Sequence, residues 1–192
     1  MNSTKKKTKA TVMYCDVRNF AKIVNILSLE EVYQFLNDCF SCFVDVAFEY
    51  DGRIDKFLGD AAMIVFGIPH AHDDDPVRAI RCALDIQRRV EEISIQWRTS
   101  LNFLVEIDMG ISTGEIIAGD VGSEKRRDYT IVGKSVNLAA ALQHLCELYN
   151  EPVLLDQTTY NNVKDIFTFR RVGEKLLLGY TEPIQLYTPT ET

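Results

Sequence analysis

The sequence predicts an α+β sandwich, a mainly antiparallel sheet flanked by helices. Three observations lead there. Apolar residues recur at helical spacing from Val32 to Ala47, from Val77 to Ile93 and from Val136 to Tyr149. Short β-prone runs lie between these segments and alternate where they are longest, as in Phe103, Val105, Ile107, Met109 and Ile111. The elements follow the order strand–helix–helix–strand–strand–helix–strand, with no linker, repeat or low-complexity stretch to divide the chain.

Thr11 to Cys15 reads as a short strand that ends at Asp16, and Asn19 to Leu27 as a short helix. Ser28 with Glu31 forms a capping box for the helix carrying Val32, Phe35, Leu36, Cys39, Phe40, Phe43, Val44 and Ala47. Tyr50-Asp51-Gly52 stops it. Two strands follow, Arg53 to Leu58 and Ala61 to Phe66, joined by a tight Gly59-Asp60 turn. Asp75 followed by Pro76 starts the next helix, with proline at its first position. The strand from Phe103 to Ile111 is expected to turn back at Gly114-Glu115 into Ile116 to Ala118. A polar loop from Gly119 to Asp128 leads to Tyr129-Thr130-Ile131-Val132 and then to a helix through Val136, Ala139, Leu142, Leu145, Cys146 and Tyr149. Short strands and a Leu178-Gly179-Tyr180 bend are expected between Val153 and Tyr187.

The 192 residues, 46% of them hydrophobic, suit one globular domain over 11–192. A net charge of −7 excludes a general nucleic-acid surface. Lys5, Lys6, Lys7 and Lys9 make residues 1–10 a disordered basic tail or a weak anchor to an acidic surface. No apolar stretch reaches the length of a membrane span, and Met1 to Ala10 lacks the apolar core of a signal peptide, so a cytoplasmic location is expected. The five cysteines, an odd number without a secretion signal, read as reduced thiols. Cys39-x-x-Cys42 falls within a helix and has no second pair to complete a zinc site.

Asp16 at a strand end and Asp60 in a hairpin turn are each ordinary turn carboxylates when taken singly. If the first strand lies beside the hairpin, the two face one point and repel unless a divalent cation sits between them. Mg²⁺ favours one or two carboxylates together with phosphate oxygens, so the pair suits a metal–triphosphate. Backbone N–H groups at the start of the short helix, from Val17 through Arg18 and Asn19 to Phe20, form an anion site for the phosphates, or simply an ordinary helix start. Gly133-Lys134-Ser135 resembles the end of a P-loop, but Asp128 stands where that motif needs glycine, which rules out an ATPase of that kind. His70 and His72 beside Asp73 to Asp75 read as a solvated loop and helix N-cap.

Four motifs carry a family resemblance. Tyr14-Cys15-Asp16-Val17-Arg18-Asn19-Phe20, Asp55-Lys56-Phe57-Leu58-Gly59-Asp60, Gly110-Ile111-Ser112-Thr113-Gly114-Glu115 and the run from Asp128 to Ala140 resemble, in order, signatures of the class III adenylyl/guanylyl cyclases. The resemblance implies a ferredoxin-like α+β core and a head-to-tail homodimer with active sites at the interface. It implies that Asp16 and Asp60 hold Mg²⁺ or Mn²⁺, two ions per active site. Lys56 and Thr130 would read the base, a combination that suggests adenine in bacterial members, and Asn137 would position the ribose. Lys56 and Asp60 would then serve opposite sites of the dimer. The implied reaction converts a nucleoside triphosphate to a 3′,5′-cyclic nucleotide and pyrophosphate by attack of its own 3′-hydroxyl.

Three positions depart from the family. Ala141 replaces the transition-state arginine, Leu178 a phosphate-binding lysine, and Asp108 an arginine that some members carry. Arg126, Arg127 and Lys134 are the nearby cations that could substitute. Three readings follow: a cyclase acting on ATP, a cyclase acting on UTP or CTP like the short pyrimidine cyclases of bacterial anti-phage defence, or a module that binds nucleotide without turning it over.

Overall fold

The computed structural model describes residues 5–190. In chain order the elements are β1 (Lys6–Val17), α1 (Phe20–Ile26), α2 (Leu29–Glu49), β2 (Arg53–Leu58), β3 (Ala61–Phe66), α3 (Asp75–Leu101), β4 (Ile107–Gly122), β5 (Arg127–Val132), α4 (Lys134–Tyr149), β6 (Val153–Asp156), α5 (Gln157–Val163), β7 (Phe169–Lys175) and β8 (Ile184–Pro189). The strands form one sheet in the order β2-β3-β1-β4-β6-β8-β7, with β5 paired to the far end of β4. All pairings are antiparallel except β4 with β6. The α+β class with a mainly antiparallel sheet is as the sequence predicts.

Side-chain alternation on the central strands assigns each residue to a layer. Met13, Cys15 and Val17 of β1 join Ile107, Met109 and Ile111 of β4 in the large core beneath α2 and α3. The intervening Ala10 and Val12 point the other way, against Ile131 of β5 and Val136 and Ala139 of α4. Asp16 falls on this second face, as does Asp108 opposite it. The register that buries the core thus also delivers both carboxylates to the α4 side.

Local signals hold where they are strongest. The Ser28 hydroxyl accepts from the Glu31 amide at 3.3 Å while the Glu31 carboxylate accepts from the Ser28 amide at 2.8 Å, closing the capping box of α2. Pro76 lies in the first turn of α3, and Gly59 takes φ 67° in the β2–β3 turn.

Three expectations are corrected. The basic segment is not a tail from residue 6 onward: Lys6 to Ala10 pair with Ala118 to Gly114, Lys7 meets Glu115 at 2.9 Å and Ala10 is buried. Five residues paired along a neighbouring strand outweigh local charge; residues 1–4 lie outside the described residues. The strand does not turn back at Gly114-Glu115, because β4 runs unbroken to Gly122, held by β1 and then by β5. Gly114 is instead a packing position, where a Cβ would come within 3.2 Å of Ser135 Cβ. The terminal segment also contains a helix, α5, capped by Asp156, whose carboxylate accepts from the Thr159 amide at 3.1 Å.

One contact fixes the α4 layer. A Cβ on Gly110 would lie 2.1 Å from the Ala139 carbonyl oxygen and 2.3 Å from the Gln143 amide nitrogen. The helix backbone rides directly on the strand there, and only glycine permits it. Gly110→Ala is therefore expected to cost about 3 kcal/mol or more, as backbone cannot yield like a side chain. Chemical denaturation measures this; a loss under about 1 kcal/mol would show that α4 shifts freely.

Candidate active site

Asp16 and Asp60 meet. β1 pairs with β3 through Asp16 opposite Ala61, so the hairpin turn places Asp60 beside the end of β1. Gln143 of α4 donates from Nε2 to Asp16 Oδ2 at 3.0 Å. The other oxygen, Oδ1, is buried and has no hydrogen-bond partner. Burial first, then the Asp60 carboxyl within hydrogen-bonding reach and the charge of Asp108, push the Asp16 pKa up to about 7. An orphaned carboxylate oxygen beside a second carboxylate is an incomplete donor set that fits a hard cation. No group of three or more His, Cys, Asp or Glu placed to hold an ion occurs among the described residues, so such a cation would draw its other ligands from phosphate and water.

Asp108, the next acid on the same face, is already partnered. Arg18 Nε donates to its Oδ1 at 2.8 Å, and both side chains are 7% exposed. Burial raises the Asp108 pKa and Arg18 opposes the rise. Arg18 is thereby corrected as a phosphate contact: its guanidinium lies between Asp108 and Glu106, and its amide donates to the Glu106 carbonyl at 2.9 Å. The Val17 amide is turned toward the Asp16 carboxyl. Asn19, with φ 58°, forms the left-handed step into α1, and its carbonyl accepts from Lys22 and Ile23. Among the described residues the amides of Asn19 and Phe20 have no backbone partner, and they remain as donors of the expected anion site.

Lys56 and Thr130, distant in sequence, also meet. Lys56 Nζ donates to Thr130 Oγ1 at 2.7 Å, and Thr130 donates to Asp55 Oδ2 at 2.8 Å. The contact exists because β5 folds back over the sheet, with Ile131 packing against the face that holds Val12, Met63 and Val65. Asn137 is exposed on α4, and half-buried Ala141 follows one turn later on the same stripe. Leu178 is fully exposed. Lys134, Arg126 and Arg127 are exposed as well. The His72 and Asp75 cluster is the helix start the sequence suggests, with the Asp75 carboxylate accepting from the His72 amide at 2.9 Å.

Sequence reasoning missed Gln143 and gave Asp55 no role. Gln143 was detectable in principle: it falls on the stripe of Val136, Ala139 and Cys146, where a polar side chain must have a partner.

Fold and site together are those of a nucleotidyl cyclase catalytic domain. Residues 3–188 match the adenylate and guanylate cyclase catalytic domain, and the chain belongs to that family. Adenylate cyclase 1 of Rhizobium meliloti is 30% identical over 181 residues, covering 94% of this chain and 27% of that protein. The crystal structure of the adenylyl cyclase CyaB from P. aeruginosa superposes with TM-score 0.91 at 31% identity, covering 98% of this chain and 97% of that one. The guanylyl cyclase Cya2 gives TM-score 0.84 at 29% identity, covering 98% and 94%. The chain spans 8–36% of the length of the curated relatives it matches. No helix among the described residues is long and apolar enough to cross a membrane.

The Asp16 environment has a measurable consequence. Without metal, its carboxyl keeps a proton to about pH 7 in the folded state but releases it near 3.8 when unfolded. The folded state binds the extra proton between those values, so its stability declines as pH rises through that window. Asp16→Asn should remove the decline, leaving the variant more stable than the parent in EDTA at pH 8 by roughly 1 kcal/mol after solvent screening. Melting curves at pH 4 and pH 8 check it; equal stability at pH 8 would show that burial and the neighbouring carboxylates do not raise the Asp16 pKa.

Proposed function

We propose that this domain converts ATP to 3′,5′-cyclic AMP and pyrophosphate, as a head-to-tail homodimer with Mg²⁺ or Mn²⁺ at Asp16 and Asp60. The observation that carries the reaction class is the Asp16–Asp60 pair with its unpartnered buried oxygen. The observation that favours adenine is the Lys56–Thr130 contact at 2.7 Å, together with relatives that bear the name adenylate cyclase. The contact disfavours UTP; CTP, whose base presents the same amino group and ring nitrogen, is set aside on the names of the relatives, and a role in anti-phage signalling has no observation in its support.

Bound divalent cations would favour the 3′-alkoxide and neutralise the triphosphate. The protein supplies placement. Asp16 is held at one oxygen by Gln143, so the other stays aimed at the site. The amides of Asn19 and Phe20 offer donors to the phosphates. Lys56 and Thr130 hold the base, and Asn137 orients the ribose so that the 3′-hydroxyl lies in line with the α-phosphorus. In a head-to-tail dimer the metal pair of one protomer faces the base pair and Asn137 of its partner, which explains why Asn137 stands exposed on α4.

Incubation with each of the four triphosphates and Mn²⁺ or Mg²⁺ tests the reading directly. Cyclic AMP is the expected product, and Asp60→Ala should abolish it. A cyclic pyrimidine as sole product would defeat the adenine assignment, and nucleotide binding without any product would make the domain a binding module. Ala141 makes a second prediction. Losing one preorganised donor costs about 2.7–4 kcal/mol in a transition state. Ala141→Arg should therefore raise kcat, by on the order of a hundredfold, with little change in KM. An unchanged or lower kcat would mean that another cation already fills that role.

A further inference from the structure

We propose that Asp55 is a specificity-determining residue: it fixes the Thr130 hydroxyl as an acceptor, so that the site selects bases with an amino group at purine C6 or pyrimidine C4 and rejects those with a carbonyl there. The inference rests on the reading of Lys56 and Thr130 as the base contact, and it assigns the donor–acceptor polarity that this reading leaves open.

The polarity follows from what each group can do. An ammonium only donates, a carboxylate only accepts, and a hydroxyl has one proton and two lone pairs. Lys56 Nζ lies 2.7 Å from Thr130 Oγ1, so the hydroxyl accepts there. Asp55 Oδ2 lies 2.8 Å from the same Oγ1, so the hydroxyl's single proton goes to Asp55. The Asp55 side chain is 5% exposed and Thr130 is 8% exposed, which keeps water from offering the proton another acceptor. One lone pair of Thr130 and the remaining N–H groups of Lys56 are what the trio can present to a base.

A local irregularity makes this trio possible. Neighbouring residues of a regular strand point to opposite faces. Here the β2–β3 register shifts between Ile54 and Lys56, with Asp55 as the extra residue. The bulge re-aims the side chains, and both Asp55 and Lys56 reach Thr130. They also lie 3.3 Å apart, so the carboxylate holds the ammonium in place as well as the hydroxyl.

With the hydroxyl against the exocyclic group and the ammonium against the neighbouring ring nitrogen, adenine matches at both positions. Its amino group donates to Thr130 and its unprotonated ring nitrogen accepts from Lys56. Cytosine presents the same pair. Guanine and uracil present a carbonyl and a ring N–H there, and both contacts become mismatches. Selection by amino against keto is thus separate from selection by ring size.

The test compares kcat/KM for ATP, CTP, GTP and UTP in the unaltered domain, Asp55→Asn, Asp55→Leu, Thr130→Val and the Asp55→Leu/Thr130→Val double variant. Asp55→Asn still places an acceptor oxygen beside the hydroxyl and the ammonium, and should keep the preference. Asp55→Leu frees the hydroxyl proton to meet a keto oxygen, and should lower the ratio of ATP over GTP and over UTP about tenfold or more. In the Thr130→Val background, Asp55→Leu should change that ratio no further. Partial misfolding lowers all four rates together and leaves the ratio intact. Should Asp55→Leu not fold, Asp55→Ala carries the same expectation, read by competition binding of 3′-deoxy triphosphates without turnover. An unaltered domain that prefers ATP, with a ratio unmoved by loss of the Asp55 carboxylate, overturns the role of Asp55 alone. An unaltered domain that prefers GTP or UTP overturns the adenine reading along with it.

Discussion

The α4 helix lies with its backbone on β4, and Gly110 is what allows it. Most of the site follows from that contact. Because the helix sits so low, Gln143 reaches the end of β1 and holds Asp16. The stripe away from the sheet carries exposed Asn137 and half-buried Ala141. The same close layer contains Val136 and Ala139, against which Ile131 packs. That packing folds β5 back over the sheet and carries Thr130 to Lys56. A glycine with no polar atoms of its own side chain is thus the element on which both halves of the site depend.

Electrostatics gives the site its direction. Asp16, Asp60 and Asp108 converge on one end of the sheet, an arrangement unfavourable for an isolated chain. Arg18 offsets Asp108, at the cost of its own availability to phosphate. The strain left at Asp16 and Asp60 is what a cation and a triphosphate would relieve. Strain of this kind, where two carboxylates face one another beside an unpartnered buried oxygen, is the usual signature of a site whose ligand completes it. The thinner cationic support at Ala141 and Leu178 leaves the Asp16–Asp60 end as the better-built half.

Much of this was legible from the residues. The capping box at Ser28 and Glu31, the Asp75-Pro76 helix start and the Gly59-Asp60 turn are local chemistry, complete within a few positions, and they hold. The long β4 was not legible, because Gly114 signals a turn and only the pairing with β1 and β5 shows that it serves packing instead. Lys6 to Ala10 read as a solvated run for the same reason: the partner that orders them is distant in sequence. At the site, Asp16 and Asp60 were candidates from their places at a strand end and a hairpin turn, while Lys56, Thr130 and Asn137 came through motif resemblance; the fold brings Asp16 to Asp60 and Lys56 to Thr130. Gln143 and Asp55 act through neighbours brought close by the fold, so spacing along the chain could not reveal what they hold.

The central claim is that one site needs two protomers: Asp16 and Asp60 from one, Lys56, Thr130 and Asn137 from the other. Mixing two inactive variants, Asp60→Ala and Asn137→Ala, tests it most directly. Random pairing makes half of the dimers mixed, and each mixed dimer holds one site with both lesions and one with neither. Cyclase activity should return on mixing to roughly a quarter of the unaltered level. If both variants fold and dimerise yet the mixture stays inactive, each site belongs to a single chain, and the shared-site account is wrong.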